Sequence, residues 1–382
     1  MKSLKNNEIE VLRAIAIIMV VVAHLPFLLP WGAQWISSIN TYTHFWGGVD
    51  IFFVISGFLI TRSILNSKVE YHKKSEFIDF YKGFLLRRFF RLIPTSWFWV
   101  LFSVAAATFY NQYGFFGDAF RNLIDAVGNM FYLSNFRAFY CGQGVGVPCG
   151  INGKLWSLSL EEQFYFLFPI AIFIFRKNVA LLLALIIIIQ FPMQRIIGEF
   201  LWYFRTDAIA WGCLIAIFSR SKYYRNIKPT FLKYFPLRVI TIVSLLIINI
   251  LFARSYYSEL TPYSIGVIAL SSAILVWVAS YDENLLFKGL SKNQITLWVA
   301  SRSYSIYLCH GIGFKLVAET IGVLGFKIET SDTIGIMILG VMVTCILSEF
   351  SYKFIEKKFI AIGRNIINKR DSTIANSVGA SS

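Results

Sequence analysis

The stretch Val11–His24, VLRAIAIIMVVVAH, decides the fold. It has the apolar character of a membrane-spanning helix, yet it contains the ionisable residues Arg13 and His24. On an α-helix these side chains share one face, about 20° apart in azimuth and about 17 Å apart along the axis. An ionisable residue in a span is costly and by default indicates a functional site. Two alternatives remain open: Arg13 can extend to the inner lipid headgroups, and His24 can be a buried histidine satisfied by a neighbour.

The rest of the chain continues this apolar character. Of its 382 residues, 57% are hydrophobic and 15% are charged, and the mean hydropathy is +0.62. Because a membrane-spanning helix needs about 20 mainly apolar residues, the sequence predicts an all-α polytopic membrane protein with about ten transmembrane helices. The predicted spans are residues 9–29, 46–65, 90–110, 155–175, 179–198, 201–218, 236–253, 263–280, 298–318 and 334–352.

Lysine and arginine are distributed unevenly between these spans. Cytoplasmic segments of membrane proteins are enriched in both residues, so the asymmetry predicts that both termini are cytoplasmic. The same asymmetry explains the net charge of +15 without nucleic-acid binding, for which the sequence has no motif. The predicted outer segments contain only five basic residues, namely Arg121, Arg137, Lys154, Arg254 and Lys327.

The chain shows no internal repeat, and we expect no appended soluble catalytic domain. We therefore predict a single transmembrane domain over residues 1–360. Its largest external piece is an outer loop at 111–154, with a helix around 119–133, and a basic inner loop spans 66–91. The polar composition of the cytoplasmic tail, residues 361–382, predicts disorder.

Cys141 and Cys149 share the predicted outer loop, in the segment YCGQGVGVPCG. Glycine and proline permit tight turns there, and a disulfide can close the loop if the compartment is oxidising. Two free thiols are the alternative. The other three cysteines lie in predicted spans, where we expect them to be packing residues.

Asp50 lies in the outer half of the second predicted span, at a depth similar to that of His24. A carboxylate at that depth can hold the imidazole in one tautomer and raise its basicity, as the acid of a histidine–acid pair does. Capping of the helix start is the alternative for Asp50.

Two adjacent carboxylates, Glu161 and Glu162, lie in the outer half of the fourth span. Both cannot face lipid at low cost, so at least one is expected to face a polar cavity or a cation. Arg205 and Asp207, in the outer part of the sixth span, can provide that cation or form their own ion pair. A purely structural buried network is the alternative.

The inner half of the spans and its rim are rich in arginine, and His310 falls near mid-depth in the ninth span. A cationic inner mouth suits a polyanion such as a nucleotide or coenzyme, because guanidinium groups form charge-assisted bonds with phosphate. Binding of anionic lipid headgroups is the alternative. The inner arginines are Arg13, Arg62, Arg87, Arg88, Arg91 and Arg302.

An outer histidine accompanied by carboxylates suits proton abstraction from a hydroxyl. The sequence has no histidine and cysteine cluster with zinc-site spacing, so we predict no metal. The glycines of GGVDIFFVISG do not form a phosphate loop, because the Lys-Ser/Thr pair is missing and the segment lies in a span.

Several motifs occur in a fixed order: Arg13-x10-His24, GGVDIFFVISGFLI at 47–60, RRFFRLIP at 87–94, WSLSLEEQFYFLFP at 156–169, RTDAIAWG at 205–212, SYSIYLCHG at 303–311, and Glu356. With them the chain resembles, over essentially all ten spans, the acyltransferase 3 family of integral membrane acyltransferases. Bacterial members of that family include O-acetyltransferases of O-antigen and other surface glycans. Lys358 departs from the proline of many members. The chain is also expected to lack the SGNH-type domain of longer members, so that the membrane domain or a separate protein completes the transfer.

The resemblance implies a bacterial inner-membrane O-acyltransferase that takes its acyl group from cytoplasmic acyl-CoA, normally acetyl-CoA. It implies a sugar hydroxyl at the outer face as the acceptor, on a surface polysaccharide of the cell envelope, such as the O-antigen of lipopolysaccharide, or on its lipid-linked precursor. His24 is carried over as the catalytic histidine and Arg13 as its motif partner. The motifs do not identify the acceptor sugar.

We expect His24 to act as a general base on the acceptor hydroxyl, with a transient acyl carrier as the alternative. Asp50, Glu161 or Glu162 would then stabilise the imidazolium, and the inner arginines would bind the donor phosphates. A transporter or flippase is the strongest rival, although no two halves of the chain look related by a repeat. A non-enzymatic scaffold would not explain the buried charges.

Overall fold

The computed structural model describes residues 6–29, 36, 38, 43–67, 74–254 and 261–379, so parts of the predicted segments 30–45, 66–91, 254–262 and 361–382 lie outside the described residues. All regular structure in the described part is helical, which confirms the predicted all-α class. The described α-helices are α1 (Asn7–Leu28), α2 (Gly48–Leu65), α3 (Lys74–Phe109), α4 (Ala119–Met130), α5 (Ser134–Gly142), α6 (Trp156–Phe175), α7 (Val179–Gln190), α8 (Phe200–Tyr203), α9 (Asp207–Phe218), α10 (Tyr223–Asn226), α11 (Phe235–Phe252), α12 (Ser264–Ala279), α13 (Gln294–Val323), α14 (Thr333–Phe350) and α15 (Lys357–Gly379).

Eight helical stretches among the described residues are long and apolar enough to cross a membrane. One of them, Gly153–Gln190, contains both α6 and α7, and α12 is a shorter apolar helix. Each predicted span therefore overlaps at least one helix of the structure. This agreement confirms the polytopic membrane architecture.

α7 and α9 are shorter than the predicted spans 179–198 and 201–218. α7 ends at Gln190, two residues before Pro192, which lacks the N–H needed to continue a helix. The segment 191–206 is irregular apart from the short α8. Irregular backbone at membrane depth is tolerated where it is buried in protein or lines a cavity, and this segment carries two of the buried arginines described below.

α2 and α9 pack backbone against backbone. A Cβ atom on Gly57 would lie 2.1 Å from the carbonyl oxygen of Ile209, and one on Gly212 would lie 2.0 Å from that of Val54. Glycine is required at both positions because small residues let two helices in a membrane approach closely. The contact fixes the start of α2 beside the segment that precedes α9, while α1 packs against α2 and α13.

The inner end of the bundle, which we define by α15 and by the part of α3 before Pro94, is more helical than predicted. α3 begins at Lys74 and continues past Pro94, so most of the predicted inner loop 66–91 is helix. A π-helical turn at Ser351–Glu356 connects α14 to α15, and α15 packs against α3. α15 extends over residues 361–379 of the tail, whose polar composition predicted disorder.

The outer end, which we define by residues 111–154, is a folded cap rather than an open loop. The helix predicted around 119–133 corresponds to α4, whereas α5 was not predicted. A disulfide joins Cys141 and Cys149. The carboxylate of Glu319, near the end of α13, accepts hydrogen bonds of 2.7 Å and 3.1 Å from two backbone N–H groups that follow α3, which ties the cap to the bundle.

Candidate active site

Three cavities lined by described residues follow one another between the two ends. The inner cavity has a volume of about 480 Å³, the middle cavity about 110 Å³ and the outer cavity about 720 Å³. Arg88 and Arg91 line both the inner and the middle cavity. Val49, Ser157 and Tyr307 line both the middle and the outer cavity. Because neighbouring cavities share side chains, they form a series through the bundle.

His24 of α1 and His310 of α13 form a pair beside the outer cavity. His24 Nδ1 lies 3.2 Å from His310 Nε2, and the two ring centroids are 5.0 Å apart. His24 lines the outer cavity, whereas His310 is fully buried behind it. The sequence assigned both residues to the site but did not predict that they touch.

The hydrogen bonds of His310 define the tautomers of this pair. His310 Nδ1 lies 2.8 Å from the carbonyl oxygen of Tyr307 and 3.1 Å from that of Ile306. A carbonyl only accepts, so Nδ1 carries the proton and Nε2 of the neutral His310 ring is an acceptor. His24 Nδ1 therefore donates to His310, and His24 Nε2 holds the lone pair that can accept a proton.

Asp50 pairs with Arg205 and not with His24, which corrects the sequence-based hypothesis. The Asp50 carboxylate lies 3.0 Å from the Arg205 guanidinium, and both side chains are fully buried. A charge removed from water needs such a partner, so Asp50 is committed to neutralising Arg205. The same guanidinium lies 5.0, 5.1 and 4.1 Å from the ring centroids of Trp46, Trp156 and Trp202, respectively.

Asp207 forms a second buried ion pair, at 2.7 Å from Arg195, with each side chain only 1% exposed. The Gln190 side-chain oxygen accepts hydrogen bonds from the backbone N–H groups of Asp207 and the preceding residue, which caps α9. Sequence analysis missed Arg195, although it is an ionisable residue inside the predicted span 179–198. An ionisable side chain within a predicted span was a sufficient signal to find Arg195.

Glu161 and Glu162 belong to the middle cavity rather than to the histidine pair. Glu161 lines this cavity and accepts hydrogen bonds from the hydroxyls of Ser56 and Tyr165. Glu162 is 3% exposed, and its charge interacts with two arginines of α3. Glu161 thus faces a polar cavity, as expected for at least one of two adjacent acids in a span.

Arginines concentrate at the inner and middle cavities. Arg13, Arg88 and Arg91 line the middle cavity, while Arg87, Arg88, Arg91 and Arg364 line the inner one. Several guanidinium groups around one cavity suit a ligand with more than one phosphate. Sequence analysis missed Arg364 because it lies in the tail that was predicted to be disordered.

Arg62 and Arg302 do not line the inner or the middle cavity, unlike the other predicted inner arginines. Arg302 is held by Glu349, with 2.8 Å between the nearest nitrogen and oxygen atoms. Arg62 is exposed, and its guanidinium carbon lies 5.8 Å from the ring centroid of Phe58. The structure therefore brings together four of the six arginines assigned to the donor.

Ser157 and Tyr307 form the boundary between the middle and outer cavities. The Tyr307 hydroxyl donates to the carbonyl oxygen of Lys154 at 2.8 Å, so its own oxygen accepts from the Ser157 hydroxyl, also at 2.8 Å. The boundary is thus built from neutral hydroxyl groups. Sequence analysis selected neither residue, because serine and tyrosine occur throughout the spans.

Comparisons with known proteins identify the family of the chain. The chain is 30% identical, over 91% of its length, to the peptidoglycan O-acetyltransferase OatA of Listeria monocytogenes. It is 28% identical, over 90% of its length, to the O-acetyltransferase OatA of Staphylococcus aureus. The chain spans about half the length of these curated relatives, 54% and 55% respectively. No solved structure matches the chain. A family model described as an acyltransferase domain matches residues 6–349, and the chain therefore belongs to the acyltransferase 3 family that its motifs indicated.

Proposed function

We propose that the protein is a membrane O-acyltransferase that moves an acyl group, most simply acetyl, from cytoplasmic acyl-CoA to a hydroxyl of a cell-surface glycan. The observation that carries this proposal is the series of cavities, with arginines at the inner end and His24 at the outer end. The relatives named O-acetyltransferases support the same reaction, although each is about twice as long as the region they share with this chain.

The inner and middle cavities are the proposed donor site. Arg87, Arg88, Arg91 and Arg364 would bind the phosphates of coenzyme A by charge-assisted hydrogen bonds. The small middle cavity would hold the uncharged arm of the coenzyme, with the thioester at the boundary formed by Ser157 and Tyr307. This placement brings the thioester to the wall that the outer cavity shares.

The outer cavity is the proposed acceptor site, and His24 is the proposed general base. His24 Nε2 takes the proton of the acceptor hydroxyl while the hydroxyl oxygen attacks the thioester carbonyl carbon. The carbon–sulfur bond then breaks, and the imidazolium returns the proton to the thiolate of coenzyme A. His310 Nε2 accepts the His24 Nδ1–H throughout, so it keeps the catalytic lone pair on the opposite nitrogen.

The proposed acceptor is a polysaccharide of the cell surface or its lipid-linked precursor. The Listeria relative's name specifies peptidoglycan, which favours that glycan over the O-antigen expected from the sequence. The proposed location is the bacterial cytoplasmic membrane. The uneven distribution of lysine and arginine supports cytoplasmic termini there.

The test uses the purified full chain in detergent, supplied with acetyl-CoA and with oligosaccharides from peptidoglycan or from O-antigen. We expect release of free coenzyme A that depends on the acceptor. His24→Asn should lower the rate by about 100-fold or more, because a general base contributes at least that much. Arg225→Gln, on the exposed surface of α10 and outside the three cavities, should retain the wild-type rate.

Two results would contradict the proposal. One is a wild-type rate in folded His24→Asn protein, as judged by its melting temperature. The other is movement of a glycan across proteoliposomes without acceptor-dependent release of coenzyme A, which would favour a transporter or flippase.

A further inference from the structure

Basic side chains gather at the outer cavity, although the outer end of the chain is poor in lysine and arginine. The described lining of this cavity includes Lys154 and Lys315, besides Arg121 and the paired Arg205. Its only carboxylate among the described lining residues is Asp118, which accepts a 2.9 Å hydrogen bond from a backbone N–H at the start of α4. The cavity therefore has an excess of positive charge.

The Lys154 ammonium group lies close to the histidine pair. A Cβ atom on Gly311, the neighbour of His310 in the chain, would lie only 1.8 Å from Lys154 Nζ. The charge of Lys154 interacts with both His24 and His310. No described residue accepts a hydrogen bond from Lys154 Nζ, although an ammonium group has three protons to donate. Lys154 thus places an amino group that has no hydrogen-bond acceptor among the described residues next to the proposed base.

Lys315 adds a second charge to the same cavity. Its Nζ donates one hydrogen bond, at 2.7 Å, to the carbonyl oxygen of Phe115, and its charge interacts with that of Lys154. Two ammonium groups in one partly enclosed cavity repel each other, and an anion between them stabilises both. A neutral ligand would leave this repulsion in place.

Aromatic side chains complete the lining. Trp46, Trp156, Trp202 and Tyr203 all line the outer cavity. Ligand sites combine such apolar surfaces with a few polar groups that fix the orientation of the ligand. The cavity therefore suits a ligand with an apolar ring face and an anionic group, which describes an acidic sugar.

We propose that the acceptor glycan carries an anionic group, a carboxylate or a phosphate, which binds between Lys154 and Lys315 and places the reacting hydroxyl at His24. This inference rests on the proposed function, since it names the acceptor class of that reaction. The two lysines bind and orient the acceptor, and His24 remains the base.

The experiment compares three forms of one oligosaccharide acceptor: neutral, with its carboxylate methyl-esterified; carboxylated; and phosphorylated. We expect kcat/KM to be about 10-fold or more higher for an anionic form than for the neutral form, which corresponds to one charge-assisted contact. The anionic form with the larger preference identifies the group. Lys154→Gln and Lys315→Gln should each raise KM for that form about 10-fold and remove its preference over the neutral form.

Lys327→Gln is the matched control, because Lys327 is an exposed basic residue of the outer side that does not line the cavity. It should retain the wild-type preference.

Equal use of the three acceptors by the wild type would overturn the inference. An equal loss of kcat for all acceptors in Lys154→Gln would overturn it too, because Lys154 would then act on the reacting carbonyl. If no acceptor releases coenzyme A, the proposed function fails instead. In that case, binding of the same glycans to the folded protein is measured by tryptophan fluorescence. The inference stands if the anionic form binds tighter than the neutral form and Lys154→Gln removes the difference. It fails otherwise.

Discussion

His310 determines which nitrogen of His24 is basic. A neutral imidazole has one donor and one acceptor nitrogen, and the partner of the donor selects the tautomer. His310 provides that partner from a buried position, held by two backbone carbonyl oxygens of α13. A histidine thus fills the position in which the sequence analysis expected a carboxylate.

His310→Ala should lower kcat about 100-fold, since a misplaced catalytic group can cost that much. KM for acetyl-CoA should stay unchanged, because His310 does not line the donor cavities. His310→Gln should recover part of the rate, as a side-chain amide oxygen can accept the His24 Nδ1–H. Steady-state kinetics of both variants are the measurement, and equal rates for the two would show that the acceptor atom at residue 310 is irrelevant.

The sequence predicted Arg13 and His24 on one face because a single helix fixes their relation. It could not predict the partner of Asp50, because that depends on the rotation and tilt of separate helices. Asp50 and His24 lie at similar predicted depths, yet the close packing of α2 and α9 directs Asp50 toward Arg205. Depth along a span therefore predicted that these residues lie at a similar level, but it did not predict which of them form pairs.

The contact between α2 and α9 holds Asp50 against Arg205. Two glycines, Gly57 and Gly212, contact the backbone of the opposite helix and leave no space for a methyl group. If these helices separated, Asp50 and Arg205 would each lose the partner that neutralises its buried charge, which is costly.

Gly57→Ala and Gly212→Ala should each lower the free energy of unfolding by about 1 to 3 kcal/mol, the usual cost of overpacking. Gly335→Ala is the matched control in α14, where a Cβ atom meets nothing within 4 Å. It should be neutral or stabilise the protein by up to about 1 kcal/mol, because alanine is the better helix former. Thermal unfolding in detergent measures all three, and equal melting temperatures would contradict the close contact.

The existence of each long helix could be predicted from hydropathy, but several ends could not. Hydropathy counts apolar residues and overlooks the break that Pro192 causes after α7. It also gives no signal for α15, whose polar sequence packs against α3 through a tertiary contact. Local composition therefore predicted the apolar helices and missed the elements that depend on neighbours.

For the molecule as a whole, the series of cavities separates the proposed donor site from the proposed acceptor site along one axis. The arginines lie at the inner and middle cavities, the hydroxyls of Ser157 and Tyr307 lie between, and the lysines lie at the outer cavity. Substitutions at opposite ends should therefore affect different substrates.

Arg88→Gln and Arg91→Gln should each raise KM for acetyl-CoA by about 10-fold or more, the cost of one charge-assisted hydrogen bond. KM for the acceptor should not change, in contrast to the lysine variants of the outer cavity. Arg225→Gln serves again as the exposed control. Unchanged KM for acetyl-CoA, together with a changed dependence of activity on anionic lipid, would assign these arginines to lipid headgroups.

The same series of cavities limits how strongly the membrane voltage acts on the reaction. Arg13 and His24 are separated by about 17 Å along α1, which is less than the hydrocarbon thickness of about 30 Å. In the proposed reaction, the coenzyme phosphates stay on one side of the membrane, the glycan stays on the other, and the acyl group that crosses is uncharged. Only the proton passed from hydroxyl to thiolate travels through part of the field, and a full unit charge gains about 2.3 kcal/mol per 100 mV. Acylation of an external sugar thus needs little of the electrical work that export of a charged donor would require.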